Sequence, residues 1–184
     1  MGWPATCAWT ARPDVVDTAL GRPFVIRPGG GEPIWSLGGH FTTLLSADGA
    51  DGHVALVEAL AWRSTEPPPH IHHREHEAWY VIEGQMTLQV GDEVLVATAG
   101  CFAFAPRGIP HAFTVDVEPT RVLVLAAPGG FEQFAAELGV PAASAEPPAD
   151  MSAPDPEVLG PVAERYGIEV VGPPLRVARG EMLP

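Results

Sequence analysis

From residue 33 to about residue 128 the chain is cut into short apolar runs by Gly, Pro and Asp, at intervals of about eight to twelve residues. No other feature limits the fold as much. Residues 40–47, 53–62, 77–83, 86–90, 93–99, 102–106, 111–117 and 121–127 read as strands, with tight turns expected at Gly84 and around Gly91. Many short strands separated by turn residues hide their apolar faces as a sandwich or a closed barrel, so the expected fold class is all-β.

Beyond Gly130 the period changes. Phe131, Phe134, Ala135 and Leu138 recur at helical spacing and Gly139 follows as a stop, which predicts an amphipathic helix packed outside the sheets. Residues 140–156, rich in Pro, Ala, Ser and Asp, show no period and read as an extended connector or a strap over the surface. Asp155 then stands as an N-cap before Pro156, opening a second short helix that Gly167 closes and that Gly160-Pro161 should make start or bend late. A length of 184 residues suits a single domain. The expected organisation is an N-terminal arm over residues 1–32, a barrel over 33–128, and C-terminal helices, connector and tail over 129–184.

Charge and composition exclude several roles. A formal net charge of −13 would repel a phosphate backbone, so no nucleic-acid partner is expected. All ten basic residues are arginines, which excludes Schiff-base chemistry on a lysine. Cys7 and Cys101 are too few for a disulfide scaffold, and the chain does not open on a charged and then apolar leader. With no apolar run of membrane-spanning length, the expectation is a cytoplasmic protein without a membrane partner. The opening MGWPAT fits an N-myristoylation pattern, but so short a pattern recurs by chance.

Residues 67–84, PPPHIHHREHEAWYVIEG, gather four histidines and three acids. His70 and His72 are two apart, so an extended strand projects both imidazoles from one face. Glu77 follows after four intervening residues, and a turn through Pro106, Gly108 and Pro110 delivers His111 to the start of a later strand. Three imidazoles and a carboxylate suit Fe, Mn, Ni, Co, Cu or Zn and leave coordination positions open, whereas a structural zinc finger would need thiolates. The plain alternative is a polar loop. His73 and His76 lack the ligand spacings and read as loop residues or outer partners, and Glu75 reads as a solvated acid.

The run His70-x-His72, four residues, Glu77, six residues, Gly84 resembles the first cupin motif. Gly100, five residues, Pro106-x-Gly108, two residues, His111 resembles the second, with fifteen residues between Gly84 and Gly100. Val115 stands where that motif often has asparagine, a position that is not a ligand. The resemblance implies a cupin double-stranded β-helix, a jelly-roll β-barrel, with short C-terminal helices added. It also assigns His70, His72, Glu77 and His111 to one divalent first-row transition metal ion: Fe, Ni, Co, Mn or Cu, with Zn also admissible.

Strand alternation extends the site. If Glu77 points inward, so do Trp79 and Val81; if His111 does, so do Phe113 and Val115; Met86 and Leu88 fall on the same face. These six are the expected substrate contacts, in an apolar and partly aromatic cavity that Phe41, Trp62, Phe102 and Phe104 could extend. From about residue 22 to 175, the segments WSLGGHFTTLLSA, PGGFEQFAAELG and ERYGIEVVGPPL resemble single-domain quercetin-dioxygenase-like cupins of bacteria. That resemblance implies a metal-dependent dioxygenase that cleaves a flavonol-type or other enolisable aromatic substrate with dioxygen, Glu77 being both ligand and general base. A non-oxidative metallo-cupin, isomerase or lyase, or a small-molecule-binding cupin is the alternative, because the fold alone does not fix the chemistry. A homodimer is expected, since the outward Tyr80 and Ile82 are apolar and a small β-structure gains by covering its edges.

Overall fold

The computed structural model describes residues 22–175; Cys7 and the MGWPAT opening lie outside the described residues. Along the chain run β1 (Pro33–Ser36), β2 (Gly39–Leu45), β3 (Ala55–Ala61), β4 (His70–His72), β5 (His76–Val90), β6 (Glu93–Thr98), β7 (Phe102–Ala105), β8 (His111–Ala127), α1 (Phe131–Glu137), β9 (Val140–Pro141), α2 (Pro156–Tyr166) and β10 (Ile168–Val170). The all-β class holds, with two short helices after the last long strand. Among the described residues no helix is long and apolar enough to cross a membrane.

Two long antiparallel strands form the spine. β5 pairs with β8 from His76↔Ala127 to Val90↔His111, so segments expected as four short strands are two long ones. The turn expected at Gly84 is instead a bend. Gly84 has φ +88, and a Cβ there would lie 2.5 Å from Thr120 Oγ1, so only glycine lets the two strands cross this closely. The register slips between Val81 and Met86 while Thr120 Oγ1 accepts from Gln85 N at 3.1 Å, so the chain turns without the ladder ending. Each spine strand thereby serves two parts of the barrel. The N-terminal half of β5 pairs with β7 and its C-terminal half with β6, while β8 pairs with β3 at one end and with β4 at the other.

The inner face follows a period of two. β3 alternates without a break, with Ala55, Val57, Ala59 and Ala61 buried. Trp79, Val81, Met86, Leu88, Val122 and Val124 complete one core with Phe41. Small alanines on β3 and β7 leave room for Trp79, the largest fully buried side chain among the described residues.

The C-terminal part packs on this barrel from outside. The buried Glu132 of α1 accepts from Ala47 N at 2.7 Å, which ties the helix to the end of β2, and Phe134 joins Val162, Ala163 and Ile168 in a second small core. Asp155 caps α2 as expected, accepting from Glu157 N at 2.9 Å, and Gly167 ends it at φ +76. The expectation that Gly160-Pro161 delays the helix is not met. Helix α2 starts at Pro156 and carries Pro161 inside, where Arg165 donates to the Pro161 carbonyl one turn on. Strands β1, β9 and β10 were not expected as strands. β9 and β10 are two and three residues long and exist only through partners far away in sequence, β1 and β4.

Candidate metal centre

Strand β4 carries His70 and His72, the start of β5 carries Glu77, and the start of β8 carries His111. The single pair His70↔His111 brings the first and last of these side by side, and the other two follow from strand geometry. One possible ligand atom from each residue lies within 4.8 Å of all the others, an arrangement that could hold a metal ion. His72, Glu77 and His111 are buried and His70 is partly exposed, so the cluster is open on the His70 side.

Hydrogen bonding orients the rings. His70 Nδ1 donates to the Pro68 carbonyl at 2.9 Å and His111 Nδ1 to the Ile109 carbonyl at 3.0 Å. His72 Nδ1 donates to Glu75 Oε1 at 2.6 Å. A carbonyl or carboxylate only accepts, so each Nδ1 holds the proton and each Nε2 is left with a lone pair. Those lone pairs face a carboxylate: Glu77 Oε2 lies 3.3 Å from His72 Nε2 and 3.1 Å from His111 Nε2. Acceptors this close repel unless a cation stands between them, either a proton or a metal ion, so the donor set fits a metal.

The electrostatics agree. Burial, reinforced by the neighbouring His111 and His72, pushes the His70 pKa down to about 3, so this imidazole is neutral and able to ligate at any physiological pH. Burial would lower His72 too, but the carboxylates of Glu77 and Glu75 outweigh it and hold its pKa above the usual histidine value. Glu77 shows the converse: burial favours its neutral form, and the surrounding His72, His111 and His70 still hold its carboxyl below the usual range.

A cavity of about 620 Å³ opens beside the cluster. Of the six expected contacts, Trp79, Met86 and Phe113 line it, with Phe41. Val81, Leu88 and Val115 are fully buried and lie outside the lining, so they belong to the packed interior and not to the cavity wall. Phe102 and Phe104 are exposed: on β7 it is Ala103 and Ala105 that face inward. Trp62 lies on the outer side, its ring 5.8 Å from Trp35. Among the described residues no arginine lines the cavity; Glu66, Glu77 and Asp155 are its acidic groups, and His70 and His72 its basic ones. The roof comes from the connector, α2 and β10, with Ala153, Pro154, Leu159, Ala163, Ile168 and Val170 lining the space.

The site also contains an acid that the spacing of the motif does not single out. Glu75, expected as a solvated acid, is 3% exposed and bound to His72. Its offset of three from His72, across a turn, was the available signal. His73 and His76 do stay outside: His73 pairs with Glu169 at 2.8 Å on the surface, and His76 accepts from Arg107 N at 3.1 Å.

Residues 58–126 match the family described as Cupin domain. The chain is similar to the quercetin 2,3-dioxygenase of Bacillus subtilis (strain 168), 27% identical over 120 residues, which cover 65% of this chain and 35% of that one. It is also similar to the quercetin 2,3-dioxygenase of Aspergillus japonicus, 29% identical over 134 residues, covering 70% of this chain and 33% of that one. The chain thus spans about a third of the length of these relatives. Among solved structures, KdgF from a Halomonas species matches with a TM-score of 0.52 at 18% identity, covering 61% of this chain and 98% of the other. A predicted oxalate decarboxylase from Thermotoga maritima matches at 0.51 and 18% identity, covering 57% and 99%. At such identities these two likenesses concern the fold alone.

Proposed function

We propose that this chain, which belongs to the cupin superfamily through residues 58–126, is a metal-dependent dioxygenase acting on a flavonol-type or other enolisable aromatic substrate. The observation that carries the reading is the meeting of two features: a three-histidine, one-glutamate cluster and an apolar cavity of about 620 Å³ that opens onto it. The quercetin 2,3-dioxygenase relatives support the same assignment at low identity.

His70, His72, Glu77 and His111 would hold one divalent first-row ion, which supplies Lewis acidity and a template for substrate and dioxygen. The protein's own residues do the rest. Trp79, Met86, Phe41 and Phe113 exclude water and clamp an aromatic substrate by area and shape. Glu77, held ionised by its histidine neighbours, takes the proton of the substrate hydroxyl on a carboxylate oxygen and leaves an enolate-type oxyanion facing the cluster. With no arginine among the described lining residues, the only cation a substrate oxyanion would meet there is the ion on the cluster and its histidines.

Oxygen consumption with a flavonol tests the reading. The protein reconstituted in turn with Fe, Ni, Co, Mn or Cu is expected to take up dioxygen with at least one of them, and Glu77→Gln to lose that uptake. Thermal stabilisation by the flavonol with no uptake under any metal would instead favour a binding cupin.

A further inference from the structure

Strand β4 is only three residues long, yet it bears two of the four candidate ligands. Its hold on the barrel is slight: one register pair, His70↔His111, and Gly108 N donating to the His72 carbonyl at 2.9 Å. Residues 67–69 are prolines and have no N–H with which to extend the pairing.

The opposite edge is different. β10 pairs with β4 throughout, as Ile168↔His72, Glu169↔Ile71 and Val170↔His70, and the ladder continues at both ends through His73 N to the Gly167 carbonyl and Val171 N to the Pro69 carbonyl, both at 2.8 Å. These end bonds make Glu169↔Ile71 a hydrogen-bonded pair and Ile168↔His72 and Val170↔His70 non-hydrogen-bonded ones, in which facing side chains come closest. Ile168 and Val170 stand beside the imidazoles and line the same cavity. β10 follows α2 after Gly167, and Ile168 is buried in the small core with Phe134, Val162 and Ala163.

We propose that β10 is a positioning element of the metal centre: its pairing with β4 holds His70 and His72 at their ligating geometry, so that metal affinity depends on residues 167–171, none of which is a ligand. The inference rests on the metal-centre reading above.

The test uses the full chain and Co(II), whose visible spectrum reports ligand geometry. Glu169→Pro removes the central N–H of the ladder, whereas Glu169→Ala removes the surface contact with His73 and keeps the N–H. Glu169→Pro is expected to weaken Co(II) binding at least tenfold and to alter the spectrum of what remains bound; Glu169→Ala should stay within about twofold of wild type with an unchanged spectrum. In wild-type protein, Co(II) should slow amide hydrogen exchange across residues 167–171 as well as in β4, a readout that holds even if the proline variant does not fold. Wild-type affinity and spectrum in a folded Glu169→Pro variant, or exchange at 167–171 indifferent to Co(II), would overturn the inference. A wild-type protein that binds no Co(II) would contradict the metal-centre reading itself.

Discussion

At the scale of single residues, the site is built from side chains whose neighbours decide their state. Glu75 illustrates this. It touches no substrate, but its bond to His72 Nδ1 fixes both the tautomer and the tilt of that ring, and removing such a partner typically costs about 10–100-fold in metal affinity. Glu75→Ala is therefore expected to weaken metal binding by that factor in a competition titration, while His73→Ala leaves it unchanged. The histidines also set a pH dependence. In the unfolded chain His70 protonates near pH 6.5, whereas in the fold it resists protonation down to about 3, so the metal-free protein should lose stability progressively as pH falls through that interval. His72, raised in the fold, works in the opposite sense: its contribution is fully present below about pH 6.5 and is lost as pH rises through its folded value. Chemical denaturation of metal-free wild type and His70→Ala between pH 3 and 7 checks the first effect, and the acid loss should be shallower in the variant. Core and cavity separate at this scale too. Leu88, buried and outside the cavity lining, should cost about 2–5 kcal/mol when changed to Ala, with metal affinity unmoved.

At the scale of elements, the bend in the spine decides how one pair of strands closes a barrel. Gly84→Ala forces a Cβ against Thr120 at positive φ, and an expected loss of about 1–3 kcal/mol would appear in the thermal or denaturant midpoint. This bend also shows what the sequence could not disclose. Gly84, Gln85 and the segment around Pro119 carry turn chemistry and read locally as strand ends. They become a bend because they lie opposite one another across β5 and β8, a relation between positions 35 residues apart. β10 failed to register for the same reason: three residues have no period, and its reason to be a strand is β4, about 96 positions earlier. The gathering of His70, His72, Glu77 and His111 was legible because much of its information is local. A two-residue histidine spacing on a strand, a carboxylate at the next strand's start and a histidine after a Pro-Gly turn each specify a direction without reference to the rest of the chain. Glu75 was only weakly legible: its offset of three from His72 is a local signal, but the burial that separates a partner of His72 from a solvated acid comes from the folded surroundings.

For the whole molecule, the barrel supplies the cluster and the C-terminal segment supplies the roof, so the cavity exists only where the two meet. Its outer side bears Tyr80, Phe102, Phe104 and Leu125, exposed on adjacent strands β5, β7 and β8. We propose that a homodimer covers this face, which keeps the outward Tyr80 of the sequence expectation but not the half-buried Ile82. Light scattering should give a mass near twice the 19.4 kDa of one chain, and Phe102→Asp with Phe104→Asp should return it to that of a monomer. The central claim, that four side chains form a metal centre beside the cavity, is tested most directly by elemental analysis of protein purified without a metal-affinity tag, after incubation with each first-row ion and removal of excess. About one ion per chain is expected in wild type, with the loss of most of it in His111→Ala. Absence of bound metal from wild type after every reconstitution, or equal loading of wild type and His111→Ala, would contradict it.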